Sequence, residues 1–178
     1  MELFGEAEVR TGNRQTLIEH GFVHSEPMRL KDALLVSGGG DGGVRPECGR
    51  MVFSPVKELP DAFRDHLAPF TRAFPCEHEA QGKARVSKHF TLCLANEGFG
   101  IGMHKHGAAM FLLLEGEKKW YMAKSDPDET PTHPAFYTSE SSHKCIQRPG
   151  ELLYVPSNWF HEIFNLSATA GVQGLPSF

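Results

Sequence analysis

The chain has 178 residues, 40% of them hydrophobic and 22% charged, enough for one well-buried core and inconsistent with a disordered polymer. Eighteen Lys and Arg stand against 22 Asp and Glu, a formal charge of -4, so nucleic acid is disfavoured as a partner: the basic surplus of a dedicated binder is missing. No segment reaches the roughly 20 apolar residues of a membrane helix, and MELFGEAEVR has no apolar signal core, so the expectation is a cytoplasmic chain with no membrane contact, the nucleus also being open to it.

Residues 1–83 read as lead-in strands and helices, though Leu17 to Leu35 is mixed and poorly periodic. The stretch SGGGDGG, Ser37 to Gly43, carries too much glycine entropy for regular structure and is expected to be a surface loop. A phosphate cradle would need a following G-K-[ST] and a helix, and neither pattern is present. Pro60 and Asp61 mark a helix start, and Phe63, Leu67 and Phe70 recur at helical spacing. Pro69 and Pro75 are expected to end that helix, and His66 on it is read as a surface or packing residue. Cys48, Cys76, Cys93 and Cys145 form no CxxC pair, which points to free thiols and not to a zinc knuckle or a disulfide scaffold.

From residue 84 the period changes to two. Val86, Phe90, Leu92 and Leu94 fall on one face, His89, Thr91 and Cys93 on the other. AMFLLLE, Ala109 to Glu115, is nearly continuous and predicts a strand buried on both faces. Gly116 breaks it, and EKKWYMA predicts a second strand after a tight turn or bulge. Ser125 to Lys144 is a polar, proline-containing excursion, and ELLYV, WFHEIFN and ATAGVQ return to strand character. Residues 84–178 are therefore expected to form an all-β core, a meander of short strands closed into a small barrel or double sheet, within one domain spanning 1–178.

The chemistry concentrates in three of the ten histidines. His104 and His106 lie two apart in GIGMHKHGAA, so on a strand both rings point to one face. His161 lies in a later strand, VPSNWFHEIFN. Two imidazoles from one strand and a third from a neighbour can converge on one iron, copper, zinc or nickel ion. With ten histidines an HxH pair also arises by accident, so the flanking residues carry weight. Gly98 precedes His104 by five intervening residues, and Gly150, Pro156, His161 and Asn165 follow a second spacing. Together they resemble the cupin motifs G-x5-H-x-H and G-x5-P-x-G-x2-H-x3-N. Asn158 departs from the second motif's internal glycine, and Met110 stands near the place of the first motif's glutamate.

The resemblance narrows to JmjC domains, a cupin branch using Fe(II), 2-oxoglutarate and O2. Gly116, Lys118 and Trp120 match G-x-K-x-W, and Pro149, Gly150, Glu151, Pro156, Trp159, His161 and Asn165 match the closing motif. This resemblance covers roughly residues 85–178 and implies a double-stranded β-helix, or jelly-roll barrel, with peripheral helices. It implies that His104 and His161 bind the metal, with His106 where the family usually has a carboxylate. It implies that Lys118 pairs with the distal carboxylate of 2-oxoglutarate, that Asn165 lies beside it, and that Trp120 and Trp159 pack the barrel. Ile101 and Phe111 stand where polar co-substrate contacts are common in the family.

The implied function is a mononuclear non-haem Fe(II) oxygenase hydroxylating a C–H bond of a small molecule or protein side chain. Two alternatives stand beside it: a three-histidine dioxygenase that does not use 2-oxoglutarate, and a non-catalytic cupin binding module; copper, nickel and zinc are the alternative metals to Fe(II). A monomer is expected. His133 and His143 are read as solvated, Cys93 and Cys145 as candidates for the barrel lumen, and Glu77, His78 and Glu79 as a weak metal cluster.

Overall fold

The computed structural model describes residues 6–13, 26–37, 50–71, 90–124 and 143–174. Among these, the chain runs β1 (Glu8–Asn13), β2 (Glu26–Arg29), α1 (Leu30–Ser37), β3 (Arg50–Pro55) and α2 (Asp61–Thr71). It continues through β4 (Thr91–Ala95), β5 (Gly100–His104), β6 (Ala109–Glu115), β7 (Lys118–Ala123), β8 (His143–Gln147), β9 (Leu152–Val155), β10 (Phe160–Asn165) and β11 (Thr169–Gly174). A seven-stranded sheet has the order β2-β1-β3-β4-β11-β6-β9, and a four-stranded sheet the order β5-β10-β7-β8. Every pairing is antiparallel.

This is the jelly-roll sandwich expected from the sequence, but its connections correct the meander. From β4 to β11 the chain passes repeatedly between the sheets, so Gly116 joins strands in different sheets instead of closing a hairpin. The poorly periodic Leu17 to Leu35 segment contains β2 and α1, and Pro69 lies inside α2 instead of ending it. Pro69 has no N–H to donate to the Asp65 carbonyl, so it removes one bond of the ladder, and the helix runs only two residues beyond it. The glycine stretch from Gly38 to Gly43, Pro75, the Glu77–His78–Glu79 cluster, His89, His133 and the excursion as far as residue 142 lie outside the described residues.

The inner strands of the large sheet are buried on both faces, which explains their weak sequence alternation. On β6, Met110 and Leu112 join Leu30, Ala33 and Leu67 of the helices in one core. The intervening Phe111 and Leu113 join Trp120 of the small sheet in the other. The same parity holds on β4, with Leu92 facing the helices and Cys93 the space between the sheets. Met110 therefore points away from the sheet interface. Among the described residues no helix is long and apolar enough to cross a membrane.

Gly98 and Gly150, the leading glycines of the two motifs, have φ of 77° and 85°, a region that L side chains rarely adopt. Gly100 serves a different need, close approach. A Cβ there would lie 2.1 Å from the Ile163 carbonyl oxygen of β10. Because that neighbour is backbone, Gly100→Ala is expected to push β5 off β10 and cost about 1–3 kcal/mol in urea unfolding.

Candidate metal centre

The centre is built on β5 and β10. His161 and His104 are directly opposed across these strands, and the register shifts between His161 and Ile163. Opposed residues of an antiparallel pair share a face, so both rings enter the same side of the small sheet. His104 ends β5, and His106 lies just beyond it, correcting the expectation of two ligands within one strand. Its ring nevertheless arrives at the same point. The three candidate ligand atoms lie within 4.8 Å of one another, and among the described residues this is the one such His, Cys or carboxylate group.

Asn158 fixes the loop after β5. Its backbone N–H donates to the His106 carbonyl at 2.9 Å. Its φ is 61°, so Asn stands in for the cupin glycine by adopting the left-handed conformation that Gly takes most easily and Asn tolerates. Asn158→Gly is expected to leave stability within about 0.5 kcal/mol, whereas Asn158→Val costs about 1–2 kcal/mol by denaturant titration.

Each imidazole has a backbone carbonyl on its Nδ1. His104 Nδ1 lies 2.7 Å from the Gly102 oxygen, His106 Nδ1 2.5 Å from that of Gly107, and His161 Nδ1 3.0 Å from that of Trp159. A carbonyl only accepts, so each Nδ1 carries the proton and donates it, and each Nε2 presents a lone pair. The Nε2 atoms of His106 and His161 are 3.1 Å apart. Two lone pairs facing at that distance repel unless a cation lies between them. Two nitrogens bound at about 2.1 Å and at right angles to one ion would be about 3.0 Å apart. The donor set thus fits a metal of the imidazole-binding group. Burial, with His104 beside it, pushes the His161 pKa down to about 3. Burial lowers that of His104 as well. Neutral imidazole is the metal-binding form, so both rings are held ready to coordinate.

Lys118, read alternatively as an exposed strand lysine, is 1% exposed. Its Nζ donates to Asn165 Oδ1 at 2.8 Å and sits 4.9 Å from the centre of the Phe111 ring. Burial pushes its pKa down to about 8. No carboxylate pairs with it among the described residues. Cys93 is buried between the sheets, its thiol pushed up to about 12 by burial. Cys145 is exposed, contrary to the lumen expectation. Trp120 is buried, whereas Trp159 is only half-buried and stacks on the exposed His143 at 5.5 Å, forming rim and not core. Ile101 packs partly buried against the inter-sheet core.

The JmjC domain family model matches residues 72–173, more than half of the chain. The chain belongs to the JmjC domain family. This JmjC chain is 29% identical over 98 residues to human JmjC domain-containing protein 8, covering 47% of this chain and 36% of that protein. It is 34% identical over 65 residues to zebrafish (Danio rerio) tRNA wybutosine-synthesizing protein 5, covering 36% of this chain and 19% of that protein. The JmjC chain spans about a third or less of the length of these curated relatives. In fold it is similar to YcfD, a ribosomal oxygenase from Escherichia coli solved with cobalt and succinic acid. The TM-score is 0.54 at 14% identity, covering 94% of this chain and 39% of that one.

Gln147 is a residue of the site that the sequence did not single out. It stands in a polar stretch before a turn, where glutamine is commonplace. Its 2% exposure and three hydrogen bonds are visible only in three dimensions.

Proposed function

We propose that this JmjC chain is a mononuclear metal-dependent oxygenase that hydroxylates a C–H bond using O2 and 2-oxoglutarate. The observation that carries the reading is the convergence of three δ-protonated imidazoles, two of their Nε2 atoms 3.1 Å apart. His104, His106 and His161 would hold the metal, Fe(II) in the family. When bound, that metal supplies activation of O2 for oxidation of an unactivated C–H bond.

The chain's own groups divide the remaining work. The carbonyls of Gly102, Gly107 and Trp159 hold the ring protons on the side away from the metal. Lys118 supplies a buried cation with one hydrogen bond and no anionic partner among the described residues, suited to the distal carboxylate of an oxo acid. Asn165 orients that ammonium. Phe111 and Trp120 keep water from the space between the sheets. The substrate we favour is a protein side chain or small molecule. The printed name of one structural neighbour, a ribosomal oxygenase, supports it in part.

The test is anaerobic loading with Fe(II), addition of 2-oxoglutarate and O2, and measurement of succinate. Succinate released in proportion to metal supports the reading, and none from metal-loaded protein overturns it. His106, in the usual place of a carboxylate, favours a second reading: a three-histidine dioxygenase. Oxygen uptake indifferent to 2-oxoglutarate would select it.

A further inference from the structure

We propose that Gln147 is a positioning residue that ties the metal-binding half of the site to the anion-binding half. The inference rests on the metal-site reading above. Gln147 ends β8, the edge strand of the small sheet, and its side chain is buried. It is directly opposite Lys118, so its side chain enters between the sheets.

Both of its amide protons and one lone pair of its oxygen are committed. Oε1 accepts the Trp120 indole N–H at 2.9 Å. Nε2 donates to the carbonyls of Phe111 and Glu151, each at 2.8 Å. The amide cannot be reversed, because reversal would set its NH2 against the indole N–H and its oxygen against two carbonyls. One side chain therefore fixes an indole on the small sheet to a backbone carbonyl on β6 of the large sheet.

Each tethered residue leads to a different half of the site. The Trp120 ring stacks on His161, with centroids 6.5 Å apart and planes at 29°. Phe111 presents its ring to the Lys118 ammonium and also meets Trp120 edge-on at 5.8 Å. A rotated Trp120 would free the His161 ring to turn about its single carbonyl contact, misdirecting Nε2. A displaced Phe111 would remove the aromatic face that Lys118 rests on.

The test uses full-length protein labelled with 15N-histidine, as wild type, Gln147→Met, Trp120→Phe and the double variant. Methionine keeps the length of glutamine but accepts and donates almost nothing. In metal-free protein, Gln147→Met is expected to shift the His161 imidazole nitrogen resonances. Trp120→Phe, which keeps a ring and loses the N–H, should shift them in the same direction. In chelator competition, Co(II) affinity should fall about 10-fold, the range of a lost partner just outside the ligands. The double variant should be no weaker than the weaker single, because both changes break one chain of contacts. A lowered Tm with unmoved His161 resonances, or additive losses in the double variant, overturns the proposal. His161 resonances that shift in both variants, together with a wild type that takes up no cobalt, support the tether while rejecting the metal-site reading.

Discussion

Replacing His161 by alanine is expected to weaken cobalt binding by at least about 100-fold while leaving the sandwich folded. A structural metal held by four ligands binds with about 10–16 kcal/mol, so one nitrogen is worth about 3 kcal/mol, or roughly 100-fold in affinity. His161 is also the most buried of the three histidines, and its ring makes the two closer contacts, 4.1 Å to His104 and 4.6 Å to His106 between centroids. Its loss removes one ligand and the packing that orients two more. The fold itself loses a hydrogen bond to the Trp159 carbonyl and some packing, about 1–3 kcal/mol. Thermal unfolding with and without Co(II) separates the effects. A ligand that binds only the native state raises the wild-type Tm. The variant should start a few degrees lower and show a much smaller rise. A variant Tm that climbs with cobalt as far as the wild type's would place the metal elsewhere.

Lys118→Met is expected to move binding and stability in opposite directions. Truncating one partner of a buried charge pair costs about 2–5 kcal/mol, so 2-oxoglutarate affinity should fall by at least about 30-fold. The ligand-free fold should become more stable. Burial holds the Lys118 pKa at about 8 against an ordinary 10.5, a penalty of about 3 kcal/mol at neutral pH. Loss of the hydrogen bond to Asn165 returns about 1 kcal/mol, leaving a net gain of about 2.

The pH dependence carries the same sign. Between about pH 8 and 10.5 the unfolded chain holds the lysine proton that the folded chain has released, so Lys118 makes stability rise with pH. Cys93 acts oppositely, because its thiol is raised to about 12 and the folded state keeps that proton longer. Urea unfolding of both proteins at pH 7 and pH 10 isolates the lysine by difference. The advantage of Lys118→Met should shrink by most of its value at the higher pH. An advantage unchanged with pH would mean that burial of the charge is not its source.

The positions of the candidate ligands were legible because short-range geometry dictates them. His104 and His161 stand at fixed offsets from Gly98 and Gly150, whose positive φ sets the turns ahead of β5 and β9. The departure at Asn158 was legible as a departure, and its left-handed φ explains why the motif survives it. The alternation of β4 and β6 was harder to use, since both faces of the large sheet are buried and hydropathy cannot say which core a residue joins. The burial of Lys118 was open for a similar reason. A lysine beside a second lysine on a strand looks solvated until the opposing sheet is in place.

By itself the sequence determined the strand-rich class, the two motif spacings and the three imidazoles, because each depends on residue identity and local backbone conformation. Only the tertiary structure decided that the chain alternates between sheets from β4 to β7 and again from β8 to β11, that His106 reaches the site from beyond its strand, and that Gln147 clamps Trp120. Those outcomes depend on pairings between residues far apart in the chain. Hydrogen-bond direction and burial across such pairings are properties of two segments together, and neither segment encodes them alone.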